Sequence, residues 1–424
     1  MTEPPRTAEQ TWTRQRIEEL LRSERFDYQA VPLPHGLSTS GHDRSETARR
    51  IFPGQLEGQS VLDVGCSLGY FCFEARRRGA QRVVGLDFDS SNLRKAQILS
   101  EILEQPVEFI LADLDRGPLG EQFDHVLCLN VLHHLADPIL GLDRLIDAAK
   151  RRLILEVATF GRHDRRQLGI NWLAMNFLSG VPAMMIGRGT AGEGIKQFYF
   201  TPSAIENLLR YRRGCFAKVE ILRSDFKNRF LVLAHKRRIG RLLAIAGPTA
   251  SGTDTALQRL LGQDRPAIEP LLGSAGAGPW KARLSADRYH EPQEPEQDRL
   301  IFEYDFMRPT TVGGGTFEHD PALEVLTSAE RTIILTIWMP PEQLANRLDG
   351  AIAAATGRQR KRLARLRGEY ADPRRLVEHY RAWFRYTASR SKDHRVIVMN
   401  GAEPVLETPE DWDRKIAAPL LSGV

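Results

Sequence analysis

Cysteine is scarce in this chain: 424 residues carry four, Cys66, Cys72, Cys128 and Cys215, and no two of them form a C-x-x-C pair. That pattern offers neither a zinc ribbon nor a disulfide framework, no metal site is expected, and a reducing compartment fits. An apolar signal core is missing after Met1, so the expectation is a cytoplasmic protein. Long apolar runs are missing as well. The most apolar stretch, residues 170–186, is interrupted by Asn171, Asn176, Ser179, Gly180 and Pro182, which makes it too short and too polar to span a bilayer. Neither charge sign dominates: 59 Lys and Arg against 54 Asp and Glu leave +5, which allows an anionic partner without requiring one. A 42% hydrophobic fraction is that of an ordinary globular protein, and 424 residues suggest two or three domains.

The dinucleotide fingerprint G-x-G-x-x-G is also absent where it would be looked for, and what stands there is more informative. Residues 61–64 (Val-Leu-Asp-Val) read as a short buried strand, and Gly65-Cys-Ser-Leu-Gly69 follows as a turn in which backbone can approach a ligand closely. Residues 71–78 read as a helix and 82–86 as a second apolar strand ending at Asp87. A carboxylate about 20 residues beyond such a turn is placed to accept hydrogen bonds from ribose hydroxyls.

The wording of this stretch resembles motif I of class I S-adenosylmethionine-dependent methyltransferases, (V/I)LD(V/I)GxxxG, and further matches follow in order at Gly85-Leu-Asp87, Leu111-Ala-Asp113-Leu114 and the segment 123–138. The resemblance implies a Rossmann-like α/β domain holding S-adenosyl-L-methionine. On the donor side it assigns Gly65 and Gly69 to making room for the methionine portion, Asp63 to orienting the turn and Asp87 to the ribose, with Cys66, Tyr70 and Phe88 as further donor contacts. Asp113 and Leu114 would meet the adenine, and Asn130 would lie near the methionine end. Proton acceptors for a hydroxyl substrate would be His133, His134 or Glu156, with a purely structural role for the two histidines as the competing reading. Residues 26–41, with two prolines and two glycines, read as an extended strap ahead of motif I; Tyr28, His35 and the adjoining His42 are the candidates for substrate contact, a simple tether being the alternative. This region together with motif I is similar to bacterial tRNA wobble-uridine carboxymethyl-transferring enzymes.

Residues 242–246 form an apolar strand, and Gly247-Pro-Thr-Ala-Ser-Gly252-Thr253-Asp254 leads into a helix. In spacing this is similar to the phosphate loop of P-loop kinases, G-x-x-x-x-G-K-(S/T), but Thr253 replaces the lysine and Asp254 the hydroxyl that would meet magnesium. Gly247, Gly252 and Thr253 are the candidate nucleotide contacts. Lys281, Arg308 and the basic run 358–367 are the cations that could substitute, and Asp254 is expected to bring negative charge towards any anionic ligand. The run 236–241 reads as a solvated basic linker. The expected organisation is therefore an N-terminal extension at 1–55, a methyltransferase domain at 56–238, and a degenerate P-loop-kinase-like α/β domain at 241–424. The expected activity is methyl transfer to a hydroxyl or anionic group of a small-molecule or glycan-type acceptor. The alternatives are a bifunctional kinase–methyltransferase and an enzyme directed at RNA such as tRNA.

Overall fold

The computed structural model describes residues 12–161, 168–169, 171, 177–178, 180–187, 197–262, 265–272, 279–312, 316–400 and 403–422. The chain divides into two compact units, Met1–Leu209 with Val219–Lys236, and Arg210–Lys218 with Arg237–Val424.

The first unit opens with α1 (Arg14–Ser23), capped by the Thr13 hydroxyl, which accepts the Arg16 N–H, and anchored by fully buried Ile17. The proline-rich strap that follows is folded. Val31 and Leu33 are buried, and the Thr39 hydroxyl donates to the Gln29 carbonyl at 2.6 Å while accepting the Val31 N–H at 2.7 Å. After α2 (Ser45–Ile51) come β1 (Ser60–Val64), α3 (Tyr70–Arg77), β2 (Arg82–Asp87), α4 (Ser90–Leu103), β3 (Glu108–Leu111), β4 (Phe123–Leu129), α5 (Pro138–Ala148) and β5 (Ala149–Ala158). A two-stranded pair, β6 (Met184–Gly187) and β7 (Gln197–Phe200), precedes α6 (Pro202–Tyr211), β8 (Phe216–Arg223) and β9 (Arg229–Lys236).

The main sheet has the order β3-β2-β1-β4-β5-β9-β8, with β1 to β5 parallel and β9 antiparallel to β5. Residues 61–64 of β1 are all buried, as expected for a central parallel strand whose side chains point into both layers. The chain runs from β1 outward to β2 and β3, then returns to β4 on the other side of β1. The crevice beyond the carboxyl ends of β1 and β4 is thus the topological switch point, where ligands of open α/β sheets bind.

Two expectations need correction or restriction. Residues 236–241 are not a solvated linker: β9 ends at Lys236, and β10 (Arg238–Gly247) begins two residues on. Arg237 between them is 3% exposed and donates to the Gln293 side chain at 2.6 Å and to the carbonyls of Tyr289 and Phe216. Charge patterning read the run as solvated, but carbonyl acceptors distant in sequence satisfy the buried guanidinium. Of the apolar stretch 170–186, read as an adaptable wall or an inserted helix pair, residues 170, 172–176 and 179 lie outside the described residues, and its end belongs to the strand β6.

The second unit continues from β10 with α7 (Thr253–Leu261), α8 (Arg265–Leu272), β11 (Arg283–Ser285), β12 (Glu296–Asp305), β13 (Ala329–Ile337), α9 (Pro341–Ala354), α10 (Gly357–Glu369), α11 (Pro373–Thr387), β14 (Asp393–Asn400) and β15 (Glu403–Glu407). Its sheet order is β11-β12-β10-β13-β14-β15, parallel except for β15. Trp383 of α11 is core: it is fully buried, stacks on Tyr304 at 5.2 Å and donates its indole N–H to Thr336. Among the described residues no helix is long and apolar enough to cross a membrane.

Candidate active site

At the switch point of the first sheet, β1 delivers Gly65 and β4 delivers Asn130 to the same crevice. Gly65 has φ +76°, and a Cβ there would lie 2.2 Å from Val131 Cγ2, so the turn accepts only glycine. Gly69, at φ +83°, starts α3 against the rings of Phe109 and Phe73. The turn is tied to β2: the N–H groups of Gly65 and Cys66 donate to the Leu86 carbonyl, and the Ser67 N–H donates to Asp87 Oδ2 at 2.8 Å. Asp87, 4% exposed, is thereby held at the strand end with the Asp89 N–H on its other oxygen.

Just past Asp87 the surface is apolar. Phe88 is 77% exposed and Leu111 60%, an unusual presentation of large apolar side chains beside a carboxylate. Asp113 lies on the loop after β3 and holds the Asp115 N–H at 2.9 Å. Leu114, expected to pack an adenine ring, is instead 3% exposed and packs against Gly141 of α5. The turn glycines, the held carboxylate and the apolar flank fit S-adenosylmethionine. Gly65 and Gly69 would give the methionine portion room, Asp87 would face the ribose, and Phe88 with Leu111 would offer faces to the base.

The methionine end is where the structure adds most. Glu156 of β5 is fully buried and accepts three hydrogen bonds, from Arg44 Nη2 at 2.7 Å, from the Asn130 side-chain amide and from the Ser224 hydroxyl. Arg44, 4% exposed, lies over the rings of Phe226 at 4.5 Å and Phe71 at 5.2 Å, and its Nε has no hydrogen-bond partner. Asn130 itself is left-handed at φ +64°, and its side-chain Oδ1 accepts the Arg229 Nε–H at 2.9 Å. A non-glycine residue in that region is strained and persists only where its surroundings hold it, a pattern concentrated at functional sites. Gln29 of the strap accepts the Tyr70 N–H at 3.2 Å, bringing Tyr28 (φ +88°) into the same crevice. Tyr28 is half exposed, and its phenol, protonated at neutral pH in any case and pushed further up by partial desolvation, is a hydrogen-bond donor.

The candidate bases fare differently. His133 is 1% exposed, with Nε2 facing Arg229 at 3.5 Å, and burial pushes it down to about 2. His134, against it at 4.2 Å between ring centroids, is lowered for the same reason. A ring that titrates near 2 carries almost no proton at neutral pH, and its low basicity disfavours a proton-accepting role. Glu156 is committed to its three donors. His35 is not in the cluster: it sits at the exposed tip of the strap, with Nε2 at 3.3 Å from the Trp12 carbonyl.

Asp63, 2% exposed, is pushed up to about 7, chiefly by burial, against the lowering effect of the Cys72 thiol at 3.7 Å. A carboxyl raised in the folded state contributes stability at low pH that is lost as pH rises through the folded value. Between pH 5 and 8 the wild type is expected to lose on the order of 2–3 kcal/mol from this group, at about 1.4 kcal/mol per unit of pKa shift. Urea unfolding of Asp63→Asn at both pH values should be flatter than the wild type. Equal slopes would mean that Asp63 ionises normally.

Residues 61–153 match the family described as a methyltransferase domain. Over 91 residues the chain is 34% identical to the tRNA U34 carboxymethyltransferase of Campylobacter hominis, covering 21% of this chain and 32% of that protein. Over 108 residues it is 32% identical to the ubiquinone biosynthesis O-methyltransferase of Nitrobacter winogradskyi, covering 26% and 41%. Among solved structures, the N-terminal domain of EvdMO1, determined in the presence of SAH and D-fucose, aligns with a TM-score of 0.41 at 19% identity, over 55% of this chain and all of that one. The chain spans about a third to a half of the length of the curated relatives it matches. The N-terminal part of this chain is a class I S-adenosylmethionine-dependent methyltransferase domain, distantly similar to tRNA U34 carboxymethyltransferase, joined to a second, mostly parallel α/β domain.

Proposed function

We propose that the chain transfers the methyl group of S-adenosylmethionine to a hydroxyl or anionic group of a small-molecule or glycan-type acceptor. The observation that carries this reading is the convergence of Gly65, Asn130, Arg44 and Tyr28 on one crevice at the switch point, under the folded strap. The donor supplies an electrophilic methyl, and displacement at it is in line, so the residues of this chain act mainly by orientation. The Tyr28 phenol, kept protonated, can donate to an acceptor oxygen. Arg44 and Arg229 bring two guanidinium groups to this end, Arg44 on Glu156 and Arg229 on Asn130, while the Asp63 carboxyl in the same crevice is pushed up towards its neutral form, which favours an acceptor bearing oxygen or negative charge over a cationic one. The strap and the loop carrying Phe226 enclose this end, which suits a narrow reacting group.

The second domain is read as a P-loop-kinase-like fold without phosphoryl-transfer chemistry. Its loop follows β10, where the sheet order turns, but Thr253 occupies the lysine position. Asp254, expected to repel an anion, is paired with Arg283 at 2.8 Å, a guanidinium that it shares with Glu303 at 3.7 Å.

An RNA-directed activity is the second reading, favoured by the likeness to tRNA U34 carboxymethyltransferase. Methyl-labelled S-adenosylmethionine, incubated with the protein and a whole-cell extract, separates the two. Label that survives ribonuclease is the expected result; label lost on ribonuclease treatment would replace the small-molecule reading with the RNA one.

A further inference from the structure

The second unit holds a loop that methyl transfer does not use. The chain leaves β10 for β11 and β12 on one side and returns to β13 on the other, so the end of β10 is a switch point in its own right. There residues 247–252 lead into the nine-residue α7, with Ala250 at φ +66° and Gly252 at φ +78°. Successive N–H groups at a turn of this kind and a helix N-terminus together form an anion-binding concavity. Ser251 adds an independent sign of a ligand. It is 6% exposed, its Oγ has no hydrogen-bond partner, and that oxygen lies 2.5 Å from where a Cβ on Gly247 would stand, inside the loop. Leaving a buried hydroxyl unmatched is costly, and an oxygen-rich ligand in the loop would relieve it.

The missing lysine has a stand-in from outside the cations singled out by sequence. Arg347 of α9 reaches over the loop: its Nη1 donates to the Ala250 carbonyl at 3.3 Å and lies 2.9 Å from the Cβ position of Gly252. Among the sequence candidates, Arg308 is occupied by Asp320 at 2.7 Å and by Asp287, whereas Arg362 of α10 meets Asp305 at 3.4 Å, next to Thr249 of the loop. Beside the loop opens a cavity of about 250 Å³ walled by Gly252, Thr255, Trp338, Pro340, Arg347 and Met399. Its apolar, partly aromatic wall suits a flat heterocycle, and its floor is shared with the loop.

We propose that this is a binding site for a nucleoside phosphate, with the phosphate on the 247–252 loop, Arg347 supplying the cation that Thr253 cannot, and the base in the adjoining cavity. The assignment of ligand class rests on the kinase-like reading of this domain; the role of Arg347 rests on the contacts above. No transfer step is assigned.

Calorimetric titration of the full-length protein with ATP, adenosine and tripolyphosphate tests it, with S-adenosylhomocysteine binding and melting temperature as controls on folding. ATP is expected to bind more tightly than either fragment. Its affinity should fall about tenfold or more in R347A and recover in part in R347K, since a charge-assisted clamp is lost and partly restored. Arg347 is exposed, so the substitution empties no core. Unchanged ATP affinity in R347A would overturn the arginine clamp while leaving a nucleotide-binding, kinase-like domain. Absence of ATP binding by the wild type would overturn both. Tripolyphosphate binding as tightly as ATP would remove the base from the cavity.

Discussion

Arg44→Ala is expected to destabilise the methyltransferase unit by about 3–5 kcal/mol, the usual cost of stripping one partner from a buried ion pair. Glu156 is fully buried, and Arg44 is the cation bonded to it. The neighbouring donors, the Asn130 amide and the Ser224 hydroxyl, are neutral and cannot balance its charge. The same substitution removes the guanidinium from between Phe226 and Phe71, so packing is lost along with charge. The double variant Arg44→Ala, Glu156→Gln should recover part of the loss, because it leaves no uncompensated charge. Urea unfolding of the wild type, the single and the double variants makes the comparison. A single variant within about 1 kcal/mol of the wild type, the range of a solvent-exposed pair, would mean that Arg44 and Glu156 are not paired as described. Donor affinity should weaken with stability, since Arg44 holds Glu156 and Glu156 holds Asn130 at the head of the crevice.

Gly65→Ala is expected to cost donor affinity more than stability. A left-handed alanine costs roughly 1–2 kcal/mol, and overpacking against Val131 adds about 1–3 kcal/mol. At 1.4 kcal/mol per decade, S-adenosylhomocysteine binding should fall by roughly thirtyfold to a thousandfold or more if the turn gives way. Because the collision is with the Val131 side chain at 2.2 Å, adding Val131→Ala should recover the overpacking share and leave the backbone share. Calorimetry with S-adenosylhomocysteine, alongside circular dichroism, resolves the two. Equal affinity in wild type and Gly65→Ala would remove the turn from the donor site.

Several features of this protein were legible in residues that are neighbours in sequence. Strand, glycine turn, helix and acidic strand end are local patterns of hydrophobic period and backbone freedom, so β1, α3, β2 and Asp87 could be placed without a structure, as could the loop after β10. Charge runs and lone polar residues misled. Residues 236–241 read as a solvated joint because their lysine and arginines say nothing of the carbonyls that Arg237 meets. His35 read as a pocket residue because it lies on the strap, yet the strap's own hydrogen bonds turn it out to Trp12.

Sequence by itself determined the doubly wound core and the two glycine turns, at 65–69 and 247–252, since each is written within a span of one supersecondary unit. Tertiary structure alone decided which charges meet. Arg44 reaches Glu156 across 112 residues and Arg229 reaches Asn130 across 99, while Arg347 comes to lie over a loop 97 residues earlier. Such pairs leave no periodic or spacing signal, because a guanidinium finds its partner through the packing of the sheet and not along the chain.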